Sequence, residues 1–142
     1  MTALVRFLAL ALPAAVLVLA LVAFLGAELG AGPDLAPLAQ RGVGRPQGLP
    51  RPAAALALVF EATALLALFL LIEGRTGSGV LDGVVAGLAA WLFRGPLLVL
   101  TVAELTRLPT APFWQTARLD LAALPLAGAA IGALARLARV RR

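Results

Sequence analysis

Few residues in this chain are equipped for chemistry, and two of them sit where chemistry is costly. Glu61 lies near the middle of an apolar run from Ala53 to Ile72, and Arg94 lies inside another from Gly79 to Ala103. An ionised side chain at such depth costs about 2.5–3.5 kcal/mol on membrane-insertion scales, and so marks a functional site or a contact between helices. The stretch Trp91-Leu92-Phe93-Arg94-Gly95-Pro96 adds a Gly-Pro pair directly after the charge, which disturbs a helix.

Most other chemistries are excluded by composition. The 142 residues contain no Cys, His or Tyr. Disulfides, thiol nucleophiles and Ser–His or Cys–His pairs are therefore impossible, and haem or zinc would lack its usual donors. Ser78 is the only serine, and no base neighbours it in sequence. A membrane-embedded lipid enzyme would need a metal cluster or a nucleophile–base pair, and neither is visible. No enzyme activity, cofactor or metal is expected.

With 62% hydrophobic and 13% charged residues, and a mean hydropathy of +1.01, the chain is far from a soluble composition. It has room for about four membrane spans of about 20 residues each. The formal charge is +5, and all 12 basic residues are Arg. They are scattered at span ends rather than gathered on one face. This fits the charge bias of a membrane protein better than a nucleic-acid surface.

The first span is expected at about residues 4–29, with Pro13 inside it. Its apolar core, Phe7 to Ala27, exceeds the 7–15-residue core of a signal peptide. Residues 30–52 form an extramembrane loop rich in Pro and Gly, either a partner-facing surface or a tether. Pro33, Pro37, Pro46, Pro50 and Pro52 forbid a continuous helix there. The second span, about 53–73, places Ala54, Ala57 and Ala64 near Glu61, with Val59, Leu66 and Leu70 opposite. This pattern turns the acid toward another helix.

Glu73 to Ser78 is a tight polar turn, so the second and third spans form an antiparallel hairpin, expected as the centre of the fold. The third span, about 79–103, carries Gly79, Gly83 and Gly87 at four-residue spacing, continued by Trp91 and Gly95. Such small-xxx-small faces permit close helix approach in lipid. Angular projection puts Arg94 within about 20° of Gly83 and Gly87, on the same face. Asp82 reads as an interfacial acid within reach of water. Gly95 and Pro96 either kink the helix or break it, and a break would leave Leu97 to Leu105 as a re-entrant segment.

Glu104 and Arg107 can pair on the last turn of this helix, which Pro109 and Pro112 then end, while Phe113 and Trp114 fit an aromatic belt. The last span, about 119–137, contains Pro125 and a further pair of small residues, Gly128 and Gly132. It ends in Arg136, Arg139, Arg141 and Arg142, a cluster suited to anchoring on anionic lipid.

At 1.5 Å per residue, Glu61 and Arg94 differ in depth by only about 4–5 Å, within the reach of an Arg side chain. A pair between them is expected, either as a structural lock or as a titrating site on a solute path. Asp82, Thr63 and Thr101 are the remaining candidates for such a path. Four spans put both termini on one side, with six Arg there against five opposite. The expected protein is thus a single all-α domain of four transmembrane helices in a bacterial inner (plasma) membrane, termini cytoplasmic. Its glycine faces suggest a helix-packing subunit or assembly factor whose partners are lipid and other transmembrane helices, with no nucleic acid. The alternative is a small oligomeric transporter or channel using Glu61 and Arg94.

Overall fold

The computed structural model describes residues 3–42 and 51–140. Every regular element among them is helical: α1 (Ala3–Glu28), α2 (Ala36–Ala39), α3 (Arg51–Ile72), α4 (Gly79–Leu92), α5 (Leu98–Leu105) and α6 (Ala111–Val140). A π-helical turn, Phe93–Leu97, joins α4 to α5 without a gap, so Gly79–Leu105 is one helix of 27 residues. Four helices are long and apolar enough to cross a membrane: α1, α3, α4 through α5, and α6.

The interior is built mainly from small residues and the outer surface from large apolar ones. Phe7, Ala11, Ala15 and Leu19 form a four-residue-spaced stripe along α1. They meet Ala62, Leu65, Leu66 and Phe69 of α3 and Ala123, Leu124, Ala127 and Ile131 of α6. Phe7 and Phe69 lie with ring centroids 6.1 Å apart. Leu17, Phe60, Leu71 and Phe93 point outward. Where such apolar helices are surrounded by lipid, apolar burial drives no association, and close packing of small residues is what can hold them together.

The hub of the bundle is α6, not the expected α3–α4 hairpin. It runs antiparallel to α4 in the tightest interface of the molecule and also packs along α1. Gly79 lies against Gly132, Gly83 against Gly128, and Gly87 against Leu124 and Pro125. A methyl group at Gly83 or Gly128 would overlap the facing backbone. The α3–α4 pair is still joined by a tight turn, in which Gly74 and Gly77 take φ of 88° and 77°. That left-handed conformation favours glycine.

Two boundaries differ from expectation. Helix α6 begins at Ala111, about eight residues before the expected start of the last span. Pro112 occupies its first turn, where a missing N–H costs nothing, and so opens this helix instead of merely closing the previous one. Helix α5 ends at Leu105, with Thr106 extended, which leaves Arg107 beyond the turn it was expected to share with Glu104.

The described half of the first loop is tied down. Asp34 accepts the Ala36 N–H at 3.0 Å, and its own N–H donates to Gln115 Oε1 at 2.7 Å. The Arg41 guanidinium donates to the Arg107 carbonyl. Arg45, Pro46 and Pro50 fall outside the described residues.

Candidate functional site

Three side chains from three segments converge midway along the spans. Arg94, on the π turn, pairs with Glu61 of α3, and its Nε lies 2.9 Å from Asp120 Oδ2 of α6. Glu61 sits about 16 Å from the Ile72 end of α3, and Asp120 about 13 Å inside the Ala111 start of α6. The acids are nearly enclosed, their side chains 10% and 12% exposed, while that of Arg94 remains 43% exposed. Among the described residues, Glu61 Oε1 and Asp120 Oδ2 have Arg94 as their polar partner.

The π turn explains how Arg94 reaches this corner. A stripe of Gly79, Gly83, Gly87, Trp91, Gly95 and Val99 runs along the helix toward α6, with a constant step of four. An ideal helix gains about 40° on each such step, so the stripe would wind away from its partner. One extra residue in the π turn sets the face back by about 100°. Gly95 then lies under Ala117, and Trp91 Nε1 donates to the Ala117 carbonyl at 2.7 Å. Arg94 is thereby moved off the glycine face, where straight projection had put it, to the edge between α3 and α6. Pro96, which has no N–H to give, sits within this turn.

The surroundings of Glu61 also differ from projection. Ala57 and Ala64 are exposed, whereas Leu65, Leu66 and Phe69 form the buried face of α3, so Glu61 stands at its rim. A cleft of about 320 Å³ opens beside it, walled by Ala64, Leu68, Phe93 and Leu124, with Glu61 and Arg94 at its polar end.

Asp120 is the member that the sequence reading leaves out. With the last span begun at residue 119, it looks like an ordinary acid at a helix start. Reading Pro112 as a first-turn proline moves it two and a half turns inward, at about 3.6 residues per turn.

Asp82 lies elsewhere and does something else. It is 1% exposed, not open to water, and its carboxylate accepts the N–H groups of Gly74 at 2.7 Å and Thr76 at 2.9 Å. It holds the α3–α4 turn closed. Thr63 and Thr101 donate to the carbonyls of Val59 and Leu97 on their own helices, at 2.7 and 2.8 Å, away from any shared path. Gly79, Gly83, Gly87, Gly128 and Gly132 face one another across α4 and α6 and so present no free docking face. Arg136 is exposed near the end of α6, while Arg141, Arg142 and the Arg139 side chain lie outside the described residues. Among the described residues, no group of three His, Cys, Asp or Glu could hold a metal ion.

No family model, curated protein or solved structure matches the chain.

Proposed function

We propose that the protein is a non-enzymatic membrane transport protein, a small carrier or channel, in which Glu61, Arg94 and Asp120 hold and pass on a proton or monovalent cation. One observation carries the reading: two carboxylates share a single guanidinium at mid-span. Fully ionised, the cluster has a net charge of −1 in a medium that penalises unbalanced charge. A one-to-one pair would leave no net charge at this depth. The second acid leaves a charge for a mobile cation to balance.

The test is flux into liposomes driven by a pH gradient. The reconstituted protein is expected to carry protons above the empty-vesicle rate, with Glu61→Gln and Asp120→Asn each reducing flux at least tenfold while unfolding resistance is kept. Equal flux in all variants would sink the proposal.

A helix-packing subunit or assembly factor is a second reading, supported by a different feature. The uncovered part of Arg94 lies at a depth where lipid chains offer no acceptor, and another transmembrane helix could cover it. Native mass spectrometry from membrane nanodiscs tests this and reports oligomeric state. A stoichiometric partner lost in Arg94→Leu supports the subunit, whereas a lone homo-oligomer excludes it.

The same proposal places the protein in a bacterial inner (plasma) membrane with cytoplasmic termini, on the strength of the C-terminal Arg cluster. Because the chain lacks Cys, single cysteines introduced at Ser78 and Thr110 report sidedness. Only the cysteine at position 110 should react with an impermeant maleimide added outside.

A further inference from the structure

We infer that the cleft beside Glu61 binds an amphipathic organic monocation, such as a protonated or quaternary amine bearing a compact apolar group. This rests on the transport reading above and names the substrate class of the same site. Three features of the cleft select that class.

The first is size. About 320 Å³ falls at the small end of ligand pockets and suits a molecule of a dozen or so heavy atoms. The second is lining. Ala64, Leu65, Leu68, Ala90 and Leu124 supply apolar walls, so a hydrated inorganic ion would lose its water shell with little in return. The third is charge. The only polar end is formed by Glu61 with Arg94, backed by Asp120, where an added charge of +1 brings the cluster to neutrality. Phe93, 65% exposed, stands at the wall, where its ring face can attract a quaternary nitrogen.

The cleft is flanked by α3 and the π turn, both within spans, so a ligand with an apolar body enters from the bilayer side. An anion would meet the two carboxylates, and a neutral molecule would leave the net charge unbalanced.

Organic cation and proton then compete for one charge. The groups facing each other are Glu61 on α3, Arg94 on the π turn and Asp120 on α6. Helix α1 contributes no charged residue between Arg6 and Glu28. Binding of the cation releases to solvent the proton that otherwise balances the cluster.

The experiment uses the full-length protein in nanodiscs and three probes of one shape: benzyltrimethylammonium, its carbon isostere neopentylbenzene, and benzylsulfonate. Calorimetry should show saturable binding of the cation, with proton release read from buffers of different ionisation enthalpy. The other two probes should compete at least tenfold more weakly. Asp120→Asn, which removes the unbalanced charge without touching the cleft wall, should weaken the cation at least tenfold. Phe93→Leu should weaken it about two- to fivefold. Equal competition by neopentylbenzene, or unchanged affinity in Asp120→Asn, overturns the inference. The two proposals fail separately: proton flux without cation binding removes only this substrate class, while cation binding without flux removes transport and leaves the binding site.

Discussion

Two contacts of α6 show opposite solutions to holding helices together in lipid. Toward the end of α4 that starts at Gly79, α6 meets a ladder with no side chains at all, Gly79 to Gly132 and Gly83 to Gly128. About half-way along the helix that α4 and α5 form, it meets Arg94 through Asp120, a contact made between charged side chains. The first gains dispersion from backbones in direct touch and has no alternative arrangement. The second gains Coulombic attraction in a low dielectric but leaves one acid in excess and Arg94 partly open. Close backbone contact and an unbalanced, partly open charge site thus sit on one helix, α6.

The glycine ladder should yield the largest stability loss. Gly83→Ala puts a methyl into the Gly128 backbone, which cannot step aside without separating α4 from α6. A loss of about 3 kcal/mol or more is expected in a reversible unfolding titration in mixed micelles. A loss under about 1 kcal/mol would show that the interface is loose, and the contrast with the charged corner would collapse.

Next comes the charged corner itself. Arg94→Ala leaves two acids without their partner and should cost about 2–3 kcal/mol, below the range for fully buried pairs because Arg94 is 43% exposed. Arg94→Lys should recover only part of this, since a single ammonium cannot present the separate Nε and Nη donors that reach Asp120 and Glu61. Adding Asp120→Asn to Arg94→Ala should return about 1 kcal/mol, giving a double-mutant coupling that strictly additive losses would disprove.

The Asp82 turn is a third, smaller lock, charged like the corner but fully satisfied like the ladder. Asp82→Ala removes the acceptor for the Gly74 and Thr76 N–H groups and should cost about 1–2 kcal/mol. Faster hydrogen exchange at those two amides, with the rest of the protein unchanged, is the accompanying signature. Exchange faster throughout the bundle would mean that Asp82 holds more than its turn.

Helix number and class were legible because apolar run length and glycine spacing are local properties that lipid imposes directly. The Glu61–Arg94 pairing was legible too, since counting residues from a tight turn fixes relative depth. Three things were not. The partner of the glycine face depends on which helices become neighbours, and Gly128 and Gly132 carry that information only when set against Gly79 and Gly83 in antiparallel order. Asp120 was hidden by one ambiguous proline, because Pro112 can end one helix or begin another. The displacement of Arg94 from the glycine face follows from the π turn, which no projection on a uniform 3.6-residue period can reveal.

The smallest effect separates backbone contact from glycine content as such. Gly26, in α1, also faces α6, but what a Cβ there would meet is the end of the Leu119 side chain, with Cδ2 at 3.0 Å. A leucine terminus can rotate by a few tenths of an ångström where a carbonyl cannot, and alanine is the better helix former by up to about 1 kcal/mol. The two effects oppose each other, so Gly26→Ala should change stability by no more than about 0.5 kcal/mol in either direction. If it cost as much as Gly83→Ala, glycine itself would be what the bundle requires at every helix contact. A near-neutral result beside a damaging Gly83→Ala would locate the constraint in the α4–α6 backbone contact, leaving the opposite flank of α6 free to repack.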